Sequence, residues 1–446
     1  MTRSPGNKFS WFESTRADGG RFGLARGDLG ALLISFVSFM LLLAAYYVLR
    51  PLRDALAATL GADSIKYLSS AVFFVMLLIV PIFGWLVARV PRPRLVPGLY
   101  GFFVLNLGVF AWAFGRYGIT GTAGVWLARV FYVWVTVFNM FAVSVFWSRM
   151  ADLWSEPQGR RYFGIVSAGG SLGGLIGPLL AHALAANVGI GGLVWISAAL
   201  LIGALIGLSL FTHPSTEIAP ATPARTPVAA AVTVMAIEPT GSAALAGLRL
   251  IFRTPFLAGI ALLVSLGSFL GMIVYIEMAR LVALTLPNAE ERTAYYSARD
   301  LWVNGIALVL QFFLLGQVTR RLGVGAALVA SGCVVLAAFV MLGADPTLAV
   351  LTGVSVILRC AEFGLAKPAR DMLYTVVPIA AKYQSKNVID TALYRGSDMA
   401  SGWIQSLIGR LGFGLAGWGW MGAALTVLLT AVAALVGRGY RRRGGK

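Results

Sequence analysis

The chain is written as long apolar runs broken by short polar stretches. Runs such as AVFFVMLLIVPIFGWLV (71–87) show no alternation of apolar and polar positions. That excludes the strands of a membrane barrel, which alternate over about ten residues. An apolar run of 18 or more residues is long enough to cross a bilayer as a helix. Twelve spans are expected, at 29–58, 66–89, 94–116, 122–153, 162–187, 190–212, 255–286, 296–319, 323–343, 346–377, 387–410 and 413–437. Between the sixth and seventh lies HPSTEIAPATPARTPVAAAVTVMAIEPTGS, whose Pro, Thr and Ala read as linker rather than packed element. The expected organisation is a polar tail (1–28), a six-helix bundle (29–212), a linker (213–254), a second six-helix bundle (255–437) and a basic tail (438–446).

Composition agrees with lipid as the solvent. Of 446 residues, 58% are hydrophobic and 12% charged, against about 25% charged in soluble domains. The net charge of +18 gains its meaning from position. The basic segments are the N-terminal tail, RVPRPR (89–94), EPQGRRY (156–162), the linker, RRLG (320–323), KYQSK (382–386) and the C-terminal tail. With twelve spans these all fall on one side, which the rule for basic loops makes the cytoplasm. Only Lys66, Arg116, Arg292 and Arg410 fall opposite. The expectation is a multi-pass, monomeric protein of a bacterial cytoplasmic membrane with both termini cytoplasmic. The polar N-terminal tail is too long for a cleaved signal, so the first run reads as a retained helix. Nothing resembles a nucleic-acid-binding signature. Cys333, Cys360, His182 and His213 are scattered, so no metal site, cofactor or catalytic nucleophile is expected.

Six plus six spans around a central cytoplasmic linker resemble the major facilitator architecture, an all-α fold of two pseudo-symmetric bundles. Its substrate sits between the bundles near the midplane. A faint internal repeat fits: VFWSRMADLWSEPQGRRYFGIVSAGG (145–170) and KPARDMLYTVVPIAAKYQSKNVIDTAL (367–393) join spans four to five and ten to eleven.

Charge inside such spans costs roughly 2.5–3.5 kcal/mol on insertion scales, so it faces a cavity or a partner. Arg50, Arg53 and Asp54 are spaced i, i+3, i+4 on the first span and share a helix face. They lie toward its outer end, where basic residues are disfavoured, and either bind an anion, snorkel to headgroups or form an Arg–Asp structural pair. A helix over 29–58 would be about 45 Å long, exceeding a core of about 30 Å, and Pro51 is a candidate bend. Glu277 and Arg280 repeat the theme on span seven, and Asp390, Arg395 and Asp398 on span eleven. Near the cytoplasmic ends, Arg149 and Asp152 on span four and Arg370 and Asp371 on span ten read as gate-like ion pairs. Arg359 and Glu362 are a further i, i+3 pair within span ten. The glycine run SAGGSLGGLIGP (167–178) lacks the Lys-Ser/Thr of a phosphate loop and reads as close helix packing at a moving interface.

These charged segments resemble the nucleotide (ATP:ADP) antiporters of intracellular bacteria and plastids. YYVLRPLRDAL looks like that family's tyrosine–leucine–arginine–x–x–lysine–aspartate element, with Arg53 in the lysine place. VYIEMAR is similar to its span-seven motif, with Glu277 on the glutamate and Arg280 near the basic position. NVIDTALYRGSDMASGWIQ matches its span-eleven segment through Asp390, Arg395 and Trp403, and RRYFGIVSAGGSLGGLIGP its opening of span five. The family's span-four glutamate falls on Val135 and its span-eleven lysine on Asp398, a reversal of sign. The resemblance implies exchange of ATP, ADP or a related phosphorylated or anionic metabolite by alternating access. Arg50, Arg53, Glu277, Arg280, Arg395 and Asp398 are then the substrate-binding candidates, and Asp54, Arg149, Asp152, Arg370, Asp371 and Asp390 the gating ones. The alternative is a proton-coupled exporter of a different small solute.

Overall fold

The computed structural model describes residues 28–154, 156–210 and 241–444, and is helical throughout them. The N-terminal tail and most of the expected linker lie outside the described residues. The first half comprises α1 (Asp28–Thr59), α2 (Ile65–Arg89), α3 (Arg92–Tyr117), α4 (Gly121–Leu153), α5 (156–188) and α6 (190–209). A short helix, α7 (Gly241–Arg253), leads into the second half. That half comprises α8 (Pro255–Thr285), α9 (Ala289–Leu322), α10 (Val324–Ala344), α11 (Leu348–Val376), α12 (379–409) and α13 (Leu415–Arg442).

Ten helical stretches among the described residues are long and apolar enough to cross a membrane. One of them, 161–209, is two antiparallel rods. Gly169 and Gly177 of α5 lie against Phe36 and Tyr47 of α1, while Ser197 and Gly207 of α6 return past Ala45 and Ser38. Gly189 makes the turn at φ 63°, a backbone region that side chains with a Cβ avoid. α12 carries too much charge to count as apolar, yet it runs beside α2 and α8, with Lys66 Nζ donating to Ser406 Oγ at 2.6 Å. Among the described residues this makes twelve long rods, six before α7 and six after it.

Close backbone contact binds α5 to α1. A Cβ at Gly169, Gly173 or Gly177 would strike the carbonyls of Phe36, Met40 or Ala44, one contact per turn. The glycine run is thus a packing face within the first half. The same stretch also reaches across to the second half: the Gly174 carbonyl accepts from Asn304 Nδ2 of α9 at 2.6 Å, and Leu175 lies against Gly305 of α9.

Two departures from expectation concern the second half. Residues 241–253, read as linker, form the amphipathic α7: Gly247 sits on the backbone of Gln384 and Ile251 is buried, while Leu248 and Phe252 are exposed. Propensity favours this helix because the stretch AALAGLRLIF holds no proline, unlike the linker before it. Three rods also contain π-turns, at Leu310–Leu315 in α9, Glu362–Ala366 in α11 and Val388–Leu393 in α12. Nothing in the apolar periodicity announced them.

Large apolar side chains such as Leu78, Leu105, Trp112, Trp195, Leu284 and Phe312 are mostly exposed on the outer surface, as a lipid-facing belt requires. Inside, one apolar cluster belongs to the first half, centred on Phe103, Phe131, Trp134 and Phe138. A second joins the halves, packing Ala55, Ala58, Leu68 and Met76 against Ile273, Met278 and Val282. It lies at the far end of the bundle, remote from Asp28 and Arg442.

Candidate functional site between the halves

Arg50, Arg53 and Asp54 occupy adjacent positions on one face of α1, and all three are turned inward. Asp54 Oδ1 accepts from Arg53 Nη2 at 2.7 Å and from Tyr275 Oη of α8 at 3.1 Å. Its Oδ2 accepts from Arg299 Nη2 of α9 at 3.1 Å. Arg299 also holds Asp300 Oδ1 at 2.8 Å, and Arg50 Nε lies 3.4 Å from Asp300 Oδ2. The result is a buried chain Arg53–Asp54–Arg299–Asp300–Arg50 that runs from α1 to α9 and back. Its carboxylates are about 1% exposed, so neither could have been left alone there. A buried charge stripped of its partner costs about 3–5 kcal/mol.

Other links between the halves lie at the same far end. Arg292 of α9 donates to Thr59 Oγ1 of α1 at 2.8 Å and caps the end of α8 through the carbonyls of Ala283 and Leu286. Trp403 Nε1 of α12 donates to Ser70 Oγ of α2 at 3.0 Å, and the His182 ring of α5 meets the Ala294 carbonyl of α9 at 3.0 Å. Together with the apolar cluster across the halves, they seal that end.

Below the seal, toward the end that carries the described termini, the halves part around a cavity of about 600 Å³. α1 and α4 contribute Tyr46, Tyr47, Arg50, Arg53, Tyr132, Thr136 and Asn139. From the second half come Ser268, Gly271 and Tyr275 of α8, Arg359, Glu362, Lys367 and Arg370 of α11, and Asp390, Tyr394, Arg395 and Asp398 of α12. The charged part of this wall has six basic residues (Arg50, Arg53, Arg359, Lys367, Arg370, Arg395) against three acidic ones (Glu362, Asp390, Asp398). Tyrosines separate them, and Arg53 lies 5.2 Å over the Tyr132 ring.

The family model of the Major Facilitator Superfamily matches residues 29–378. The chain belongs to the major facilitator superfamily. Solved structures with the same fold include a POT family transporter in complex with 5-aminolevulinic acid (15% identity, 95% of this chain and 98% of that one, TM-score 0.63). A D-xylose-proton symporter (14%, 91% and 96%, 0.61) and the nucleoside transporter NupG (12%, 94% and 99%, 0.58) are similar as well. At these identities the likeness is one of fold. No curated protein matches the sequence.

Within this major facilitator frame the sequence-derived residues divide. Arg50, Arg53, Arg395 and Asp398 line the cavity, as do Arg370 and Asp390. Glu277 and Arg280 do not. Glu277 is 2% exposed, 3.7 Å from Arg280 and within reach of Gln405 Nε2 at 3.5 Å, while the Arg280 side chain is 45% exposed. Asp54 is enclosed in the ion chain that ties α1 to α9 of the other half, beside the seal at the far end. Arg149 and Asp152 lie near the end of α4 toward the termini, and neither is free. Asp371 pairs with Lys386 of α12 at 2.5 Å rather than with Arg370. Arg370 instead holds Glu362 at 3.2 Å.

The i, i+3 pairing of Arg359 with Glu362 does not form, and the π-turn explains why. One extra residue between 362 and 370 makes eight residues occupy two turns, which brings Arg370 onto the face of Glu362. Side chains lean toward the N-terminus of their helix, so Arg370 reaches up to Glu362.

Arg299 and Asp300 escaped the sequence reading. They lie four residues inside the expected start of span eight, where charge looks like an ordinary helix end. α9 in fact begins at Ala289, ten residues before Arg299. The imbalance on α1, two arginines to one aspartate, was the available signal that a partner carboxylate had to come from elsewhere. Val135, at the place of the antiporter family's glutamate, is fully buried in the core of the first half and does not reach the cavity.

Proposed function

We propose that this secondary transporter carries a small anionic metabolite, nucleotides or other phosphorylated compounds among them, by alternating access between two half-bundles. The observation that carries this reading is the excess of basic over acidic side chains on the cavity wall between the halves, of which Arg359 and Lys367 remain without a carboxylate within 4 Å among the described residues once the ion pairs have formed. An anion entering a low-dielectric cavity with that excess gains charge-assisted hydrogen bonds, stronger than neutral ones. Tyr46, Tyr47, Tyr132, Tyr275 and Tyr394 add flat, amphipathic surface suited to a nucleobase or sugar. The seal at the far end describes one of the two states that alternating access requires. With the termini in the cytoplasm, that state opens inward. The resemblance to ATP:ADP antiporters supports the nucleotide class. Asp398 on the wall, where those antiporters carry lysine, favours a substrate less charged than a triphosphate.

The test is uptake into proteoliposomes of ATP, ADP, AMP, NAD, sugar phosphates and uncharged nucleosides, with and without the same solute inside. Stimulation of a phosphorylated solute by internal counter-solute is the expected result. Transport confined to uncharged nucleosides would overturn the anion reading. A proton-coupled reading has its own support in Asp398, which accepts from Ser268 Oγ at 2.5 Å and lies 3.5 Å from Arg395. Under that reading an imposed pH gradient, rather than internal solute, drives uptake.

A further inference from the structure

Most cavity cations are already neutralised. Arg50 lies against Asp300, Arg53 against Asp54, Arg370 against Glu362 and Arg395 against Asp398. Lys367 has no carboxylate within 4 Å among the described residues, but it is an exposed residue of the cavity wall. Arg359 is different. It is partly buried, lines the cavity and also has no carboxylate within 4 Å among the described residues. The charges acting on it most strongly are Arg50 and Arg299, both cations. The acids that also act on it, Asp54 and Asp398, are already paired, Asp54 with Arg53 and Arg299 and Asp398 with Arg395. Its one close ring, Phe363, has its centroid 6.0 Å away.

A guanidinium held among like charges is costly unless an anion joins it. The sequence supplies Glu362 three residues on, the usual helical partner. The π-turn beginning at Glu362 removes that partner by handing it to Arg370. The fold therefore keeps Arg359 unpaired by construction.

We infer that Arg359 is the residue that receives the oxyanion of the substrate, a phosphate or carboxylate group, and that the Glu362–Arg370 pair keeps it vacant. This rests on the anion-transport reading above and names the contact within it. Arg359 takes the oxyanion in fork geometry, with Arg50 adding field rather than a direct bond while it remains paired to Asp300. The Arg395–Asp398 pair on the facing α12 leaves no second unpaired cation at that depth among the described residues, so the site is matched to one anionic group rather than to a chain of three phosphates.

The experiment uses the full-length protein in detergent, with inorganic phosphate as probe and chloride at matched ionic strength as control. Thermal stabilisation by phosphate over chloride is measured for four forms. Wild type should be stabilised by phosphate. Arg359→Gln should need about tenfold to a hundredfold more phosphate for the same shift, the loss expected for a hydrogen bond to a charged group. Arg370→Gln should also lose the phosphate response, although Arg359 is intact, because Glu362 is released to pair with it. Glu362→Gln added to Arg370→Gln should restore the response, which a merely structural role for Arg370 would not. A wild-type response that Arg359→Gln leaves unchanged overturns the assignment while the anion reading stands. No preference of wild type for phosphate over chloride overturns the anion reading itself.

Discussion

The two halves of the molecule meet the same cavity with different machinery. Among the described residues the first half presents unbroken α-helices, α1 even running through Pro51 without interruption. Its cavity cations, Arg50 and Arg53, are locked into the buried ion chain. The second half presents two of its three π-turns, all three acidic residues of the wall and Arg359, which has no carboxylate partner among the described residues. A π-turn is a strained, widened turn that recurs at functional sites because it reorients the side chains around it. The first half therefore meets the cavity with regular helix and paired cations, and the second with widened helical turns and a cation left without a carboxylate partner among the described residues.

The largest test of this contrast is the ion chain that ties the first half to α9. Arg299→Gln leaves Asp54 and Asp300 short of a partner in a buried place, so unfolding stability should fall by about 3–5 kcal/mol. The Asp54→Asn/Arg299→Gln double variant should recover part of that loss, measured by a denaturant or thermal double-mutant cycle. Additive losses would mean that the pair is not coupled.

A smaller effect separates the glycines of the two halves. Gly173→Ala places a methyl group against the Met40 carbonyl on α1, so it should destabilise the first half by about 1–3 kcal/mol. Gly271→Ala on α8 meets nothing within 4 Å because it faces the cavity. It should stabilise by about 0.5–1 kcal/mol through helix propensity. Thermal melts of the two variants in one detergent compare them directly, and equal shifts would remove the distinction between packed wall and cavity face.

The smallest effect is expected at Lys386→Ala. Its pair with Asp371 is short at 2.5 Å, yet both side chains are over a third exposed. Such pairs contribute about 0–1 kcal/mol, so melting and transport should both stay near wild type. A loss comparable to that of Arg299→Gln would make this pair a true gate rather than a solvated contact.

Much of the architecture was legible. The expected span at 29–58 is α1 at Asp28–Thr59, that at 122–153 is α4 at Gly121–Leu153, and the break between spans five and six falls at Gly189. Apolar run length and basic loops decide these features locally, because lipid requires each spanning segment to satisfy its own backbone hydrogen bonds. The glycines of 167–178 also announced close packing, since only small residues admit a second backbone at that distance. α7 was hidden by the Pro- and Thr-rich stretch before it, and Arg299 and Asp300 by their nearness to an apparent helix end.

What the sequence by itself determined is therefore the solvent of the protein, the course of its rods and the presence of charge where charge is expensive. Only the tertiary structure decided which charges neutralise one another. Arg53 and Asp54 are adjacent in sequence, yet the second carboxylate of the chain, Asp300, comes from the other half, and Glu362 turns to Arg370 rather than to Arg359. The reason is physical: an ion pair depends on distances of a few ångströms between side chains. Those distances are set by how the half-bundles dock and by one extra residue in a helical turn, neither of which is written in the apolar pattern.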